Sequence, residues 1–259
     1  VVNGESTHST VIFTGSGTAG VEAALCSVVP ESGKILILDN GAYGKRAETI
    51  IQAYGISHRT IRIEWGDYPD ISHIETVINE EPKLTHFFFV HHETTTGMLN
   101  PLAEILELCE KYELDSIVDA MSSYAGLTID LQKLPIDYLI SSSNKCIQGM
   151  AGISFVIANK ERLKATSNVP SRNLYLNLWG NHSYIEQTGQ FQFTPPVQIV
   201  YALNQALDEF FKETQSGRTA RYIKSYETLM VGIEQTGLEM LLPKSQHSKL
   251  LTAIVEPKS

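Results

Sequence analysis

The chain has 259 residues, with 42% apolar and 19% charged side chains, proportions that exclude global disorder. Its longest apolar runs, such as Ile35–Leu38 and Phe87–Val90, are far too short to span a bilayer, and VVNGESTHST at the start lacks the basic-then-apolar order of a signal peptide. Twenty basic against twenty-nine acidic residues give a net charge of −9, which argues against nucleic acid as a partner.

Three cysteines, Cys26, Cys109 and Cys146, stand far apart without a CxxC or Cys/His cluster. Neither a disulfide framework nor a zinc site is expected, and reduced thiols fit a cytoplasmic protein.

In chain order, the first half alternates strand-like and helix-like segments. Val11–Thr14 reads as a strand ending at a glycine turn, and residues 18–28 read as a helix with Val21, Ala24, Leu25 and Val28 on one face. Ile35–Leu38 is the next strand, residues 45–54 a helix stopping at Gly55, and Ile61–Ile63 a strand. A helix near 70–80, the strand Phe87–Val90 and a helix opening at Pro101 follow, the last with Leu102, Ile105, Leu106 and Cys109 as its buried stripe. Ser116–Asp119, Tyr138–Ile140 and Ile153–Ala158 complete the core strands. Most of these short runs, Ile35–Leu38 and Phe87–Val90 above all, are apolar rather than alternating, as expected for strands covered on both faces of an α/β sheet. Residues 170–196 show no clear periodicity. Two long helices are expected at about 197–214 and 217–237, and a last strand at Leu250–Val255.

Gly15-Ser16-Gly17-Thr18-Ala19-Gly20 follows a strand and opens a helix, and Asp39 closes the next strand. That pattern fits a dinucleotide-binding turn. The same physics, open amides at a helix N-terminus, serves any phosphate. Lys145 follows the apolar strand and the hydroxyls Ser141, Ser142 and Ser143. A lysine partly desolvated there and near other cations loses its proton more readily and attacks a carbonyl; the alternative is an ordinary solvated surface lysine. Asp119 ends a buried strand ahead of Ala120-Met121-Ser122-Ser123, and a buried carboxylate calls for a cation or serves as a turn cap. His91-His92-Glu93 precedes Thr94-Thr95-Thr96 at another strand end; adjacent residues diverge on a strand, so a metal site is not expected. Tyr43 stands between Gly41 and Gly44, placed to stack on a flat ring or to pack on the core.

Taken together, GSGTAGVEAAL at 15–25, DNGAYGKR at 39–46, HHETTTGMLNPL at 91–102, VDAMSSYAG at 118–126 and SSNKCIQGMAG at 142–152 resemble the class V aminotransferases of the fold type I pyridoxal-phosphate family. Their motifs are most similar to the branch that moves the amino group of 2-aminoethylphosphonate to pyruvate. Alanine–glyoxylate and serine–pyruvate aminotransferases are relatives with less similar motifs.

The resemblance implies an α/β fold with a mostly parallel central sheet between helices, pyridoxal 5′-phosphate as cofactor, and amine and 2-oxo acid substrates. It implies a cofactor-binding large domain over 1–200, and connecting helices with the start of a small domain over 201–259. It makes Lys145 the Schiff-base lysine and Asp119 the partner of the pyridine nitrogen. Tyr43 takes the stacking position, Gly17 and Thr18 the phosphate, with Ser16, Thr94, Met121 and Asn144 as further cofactor contacts. Thr194 matches a residue that reaches the cofactor of the other subunit of a homodimer with shared active sites. The family also implies a segment ahead of Val1 and a domain beyond Ser259 that holds the arginine for the substrate acid group. Within this chain, Arg46 and Arg172 are the alternative holders of that group. A nicotinamide-dependent oxidoreductase using Gly15, Gly17, Gly20 and Asp39 is the competing reading.

Overall fold

The computed structural model describes residues 1–257. Its elements run in the order β1 (His8–Thr14), α1 (Gly17–Val28), β2 (Lys34–Asp39), α2 (Ala42–Ala53), β3 (His58–Arg62), α3 (Ile71–Glu80) and β4 (Leu84–Val90). The small strands β5 (His92–Glu93) and β6 (Met98–Leu99) follow, then α4 (Leu102–Lys111), β7 (Asp115–Asp119), β8 (Tyr138–Ser142) and β9 (Ile153–Asn159). Four helices come last: α5 (Lys160–Ala165), α6 (Leu178–Thr188), α7 (Val197–Glu213) and α8 (Gln215–Thr236).

Seven strands make one sheet in the order β1-β9-β8-β7-β4-β2-β3. Strands β8, β7, β4, β2 and β3 pair in parallel, and β9 is antiparallel to both of its neighbours, β1 and β8. The mostly parallel α/β sheet expected from the apolar runs is therefore present. Side chains alternate across it. Leu36, Leu38, Phe87, Phe89, Val118 and Leu139 join α3 and α4 in one core, which also takes Leu203, Ala206 and Phe210 of α7. Ile35, Ile37, Phe88, Val90, Ile117 and Ile140 join α1 and α2 in the other. Burial on both faces is why these strands carry no polar alternation.

Close packing sets where α1 begins. A Cβ added to Gly20 would lie 3.1 Å from Ser154 Cβ and 3.2 Å from Ile140 Cγ2. The missing side chain lets the helix approach β8 and β9, so its N-terminus lies over the strand ends that carry the site.

Several boundaries differ from expectation. Helix α2 starts at Ala42 rather than 45, so Tyr43 lies in its first turn. Residues 170–196 contain α6: Asn177 Oδ1 accepts from the Gly180 amide at 2.6 Å, and Gly189 ends the helix in the left-handed region at φ 67°. The short helix α5 and the hairpin β5–β6 were not anticipated by periodicity, because each is too short to show any. The run Leu250–Val255 is not a strand. Only Ile254 bridges, to Met240, with amide bonds from Leu241 to Ala253 and from Val255 to Glu239, so it lacks the partner a strand needs. The last two residues of the expected second unit, 258 and 259, lie outside the described residues. Cys26, Cys109 and Cys146 are buried and unpaired. Among the described residues no helix is long and apolar enough to cross a membrane.

Candidate active site

Strands β2, β4, β7 and β8 run the same way, so their carboxyl ends share one edge of the sheet, where α/β folds place their ligands. A cavity of about 140 Å³ opens there. Gly17, Thr18, Tyr43, Asp119, Asn144 and Lys145 line it, with Val21, Arg46, Met121 and Ser142. A narrow extension shares Tyr43, Asp119, Met121 and Lys145 and adds Val90, His92, Thr94 and Ser122. The larger cavity of about 680 Å³ lies at the opposite edge, where Thr7, His8, Leu114 and Asp137 begin or precede strands. Its His8, Asp137 and Arg162 are already bonded, to Ile136 O, to Ser116 and to the carboxylates of Asp115 and Asp137 respectively.

At one side of the site cavity β1 exits through Gly15, whose φ of 152° is a backbone conformation that favours glycine. No side chain caps α1, and no acidic residue sits in its first turn. The positive end of the helix and the amides of Gly17 and Thr18 therefore offer an anion a place without a competing side chain. A Cβ on Gly17 would meet Met121 Sδ at 2.6 Å, so glycine keeps this cradle open.

Asp119 ends β7 and is 3% exposed. One oxygen accepts from the Met121 amide at 2.8 Å. Burial pushes its pKa up to about 6; the Met121 amide opposes the rise, the Glu93 charge adds to it, and Arg46 and Lys145 oppose it from a distance. Asp119 thus serves as a turn cap and remains a carboxylate in want of a cation.

Lys145 stands in the turn after β8, is an exposed residue, and lines the cavity. The turn itself is held firmly. Ser143 Oγ donates to Met150 O and Ser142 Oγ donates to Asn144 Oδ1 at 2.9 Å. Behind it, the buried Arg218 of α8 donates to Cys146 O at 2.8 Å and Ile147 O at 3.0 Å, and pairs with Glu213 at 2.6 Å. Nothing in local periodicity announces Arg218, because its partners are carbonyls distant in the chain.

On the far side Tyr43 partly buries its ring against the α1–α2 core. The Arg46 guanidinium lies 4.9 Å from its ring centre and donates to Thr18 Oγ1 at 3.3 Å. His91 and His92 are buried, and burial drives their pKa values down to about 3 and 4, so both rings are neutral at pH 7. Arg46, one of the two arginines offered for the substrate acid group, lines the cavity, and so does His92, whose place beside a strand end is its only signal in the sequence.

Ser16 and Thr194 do not line their own chain's cavity, which for Thr194 accords with the expected contact to the other subunit's cofactor. Ser16 precedes the cradle but is exposed and does not line the cavity. Thr194 is exposed beside a groove formed by Phe191, Pro195, Val197, Val200 and Tyr201, away from its own chain's cavity. Arg172 donates to Cys26 O at 2.9 Å and does not line the cavity, so of the two arginines only Arg46 does.

The dinucleotide reading fails on topology. It needs the glycine strand to lie beside the strand ending in Asp39. Here β1 is an edge strand bonded to β9, and β9, β8, β7 and β4 separate it from β2.

The raised pKa of Asp119 has a measurable consequence. Below the ordinary value of 3.8 both folded and unfolded chains carry the proton. As pH rises towards about 6 the unfolded chain ionises first, so stability falls; above that the penalty is constant. Asp119→Asn should therefore be more stable than the parent above pH 6, by up to about 2–3 kcal/mol in urea unfolding, with the gap closing towards pH 4. A gap that does not change with pH would contradict this.

The model of the class V aminotransferase family matches residues 1–255. The chain is 43% identical over 252 residues to a 2-aminoethylphosphonate–pyruvate transaminase of Klebsiella pneumoniae, covering 96% of this chain and 68% of that one. Its identity to the protein of the same name from Pseudomonas fluorescens is 39% over 259 residues, or 100% of this chain and 70% of that one. Among solved structures, an alanine–glyoxylate aminotransferase from Nostoc sp. matches with a TM-score of 0.90 at 27% identity, covering 96% of this chain and 66% of that one. A ureidoglycine–glyoxylate aminotransferase from Bacillus subtilis matches with a TM-score of 0.87 at 25% identity, covering 96% and 65%. The chain spans about two thirds of the length of these relatives. The fold is that of the fold type I pyridoxal-phosphate-dependent transferases, and the chain belongs to the class V aminotransferases.

Proposed function

We propose that the chain carries the cofactor site of an aminotransferase that takes the amino group of 2-aminoethylphosphonate and gives it to pyruvate, leaving phosphonoacetaldehyde and alanine. One observation carries the reading: a lysine, a buried acid, an aromatic ring and an uncapped helix N-terminus line a single cavity. The relatives at 43% and 39% identity support the choice of substrates.

Pyridoxal 5′-phosphate fits this donor set. Gly17 and Thr18 would hold its phosphate, Asn144 and Thr94 would add polar contacts, Met121 an apolar one, and the Tyr43 ring would cover a face of the pyridine. Asp119 would meet the ring nitrogen, which as a cation relieves the cost of a buried carboxylate. When bound, the cofactor supplies the electron sink for the carbon that carries the amine. Lys145 would supply the amine that holds the cofactor and the group that moves a proton at the substrate carbon. Arg218 and the bonded serines hold its turn at the strand end, and the lysine itself is exposed.

The same proposal covers the assembly. Leu174, Tyr175, Val197 and Tyr201 are exposed large apolar residues around the Thr194 segment, a patch that suits a second copy of the chain. In such a homodimer Thr194 would reach the partner's cofactor. The division into a cofactor-binding unit over 1–200 and a connecting unit from 201 belongs to the proposal as well.

Steady-state assay of alanine formation tests it. With pyridoxal phosphate present, 2-aminoethylphosphonate and pyruvate should be converted, and Lys145→Ala should lower the rate by at least about 100-fold. Faster turnover of alanine with glyoxylate, or of serine with pyruvate, would overturn the substrate assignment in favour of the related aminotransferases. Light scattering tests the assembly: a dimer that Tyr201→Glu converts to monomer is expected, and a monomeric parent would contradict it.

A further inference from the structure

Glu93 is the least accessible acid of the site region, at 0% exposure on β5. Its Oε1 accepts from the Thr95 amide at 3.0 Å and from Thr95 Oγ1 at 2.6 Å. Thr95 Oγ1 in turn accepts from the amide of Ala42, the first residue of α2, at 3.0 Å. A relay thus runs from a helix amide through a hydroxyl to a carboxylate, and each bond polarises the next.

The other oxygen, Oε2, is buried and among the described residues has no partner at full hydrogen-bond geometry, the nearest donors being the first-turn amides of Tyr43 and Gly44. Burial raises the Glu93 pKa, while Thr95 and the first-turn amides of Tyr43 and Gly44 act against that rise. The carboxyl group lies against the N-terminal turn of α2, close enough that a Cβ on Gly41 would meet Glu93 Cδ, and the helix dipole favours it there.

Two glycines make room for this contact. Gly41 has φ 176°, an extended backbone that any residue adopts, so conformation does not require glycine there. Space does: a Cβ at Gly41 would lie 2.2 Å from Glu93 Cδ. A Cβ at Gly44 would lie 2.6 Å from Leu38 O. The first turn of α2 is thus wedged between the end of β2 and the Glu93 carboxyl group, and Tyr43 is carried on that turn.

We propose that Glu93 is a positioning residue for Tyr43: its carboxyl group, with Thr95, fixes the first turn of α2 and so sets where the tyrosine ring stands over the cavity. The inference rests on the reading of the cavity as a pyridoxal-phosphate site. Glu93 itself does not line the cavity, and its neighbour Thr94 does.

A double-mutant cycle tests it in the full chain. Parent, Glu93→Gln, Tyr43→Leu and the double variant are stripped of cofactor and titrated with pyridoxal phosphate by fluorescence. Visible circular dichroism then reports the setting of the bound ring. Glu93→Gln should weaken binding roughly 10-fold in the parent, and less than about 2-fold when Tyr43 is already Leu. The dichroic band should fall in both single variants and no further in the double one. Equal fold-losses in the two backgrounds, or an unchanged band in Glu93→Gln, would overturn the proposal, because a general loss of structure acts whether or not the tyrosine is present. Gly41→Ala presses on the same carboxyl group from the helix side and takes the place of Glu93→Gln, with the same expected outcomes, if that variant does not fold. A parent that binds no pyridoxal phosphate would fail the reading of the cavity itself, whereas binding with additive losses would fail only the role of Glu93.

Discussion

The Asp119 carboxyl group is held at the end of β7 among strands that are apolar on both faces, with a single amide, that of Met121, as its hydrogen-bond donor. Ionisation there is disfavoured, and neither Lys145 nor Arg46 offsets the burial. The fold carries this cost at one point and arranges the remaining polar groups around it. A cation delivered to that point gains what the protein alone leaves unsatisfied. A protonated pyridine nitrogen is such a cation, and the electron sink it supports is the chemistry an aminotransferase requires.

The remainder of the site follows from the sheet. Parallel strands β2, β4, β7 and β8 bring their carboxyl ends to one edge, and each then turns into a segment with a distinct task. Strand β2 leads to the helix turn that carries Tyr43, and β8 to the bonded turn that carries Lys145. Strand β1 comes from the sheet edge, and its helix crosses to β8 because Gly20 allows close approach. Asn40 and Asn100 bond side chain to side chain, Nδ2 to Oδ1 at 2.8 Å, adding a second tie between the β2 exit and the segment after β6. Precision at the cavity thus rests on buried polar contacts between loops, backed by a rigid sheet.

The parts of this arrangement that were legible in the sequence share a physical cause. Ile35–Leu38 and Phe87–Val90 announce themselves because burial on both faces leaves no polar position. Asp119 stands out as the acid that ends such a run, and Lys145 as the charge that follows one after three serines and an asparagine. Helix α6 went unseen because its apolar residues do not recur at helical spacing, although Asn177 and Gly189 mark its ends as capping residues do. Leu250–Val255 misled because β-branched composition was read without a partner strand. Lys145 is exposed, since buried serines beside it do not cover a side chain that leaves the turn. The parts of Glu93 and Arg218 depend on contacts between distant segments, and no local pattern shows them.

The most direct measurement of the central claim is peptide mapping after borohydride reduction of the protein incubated with pyridoxal phosphate. The account predicts a single cofactor-sized mass addition, on the peptide that contains Lys145, absent when inorganic phosphate is present in large excess to compete at the α1 N-terminus. Addition on another lysine, or none at all, would contradict the assignment of this cavity as the cofactor site.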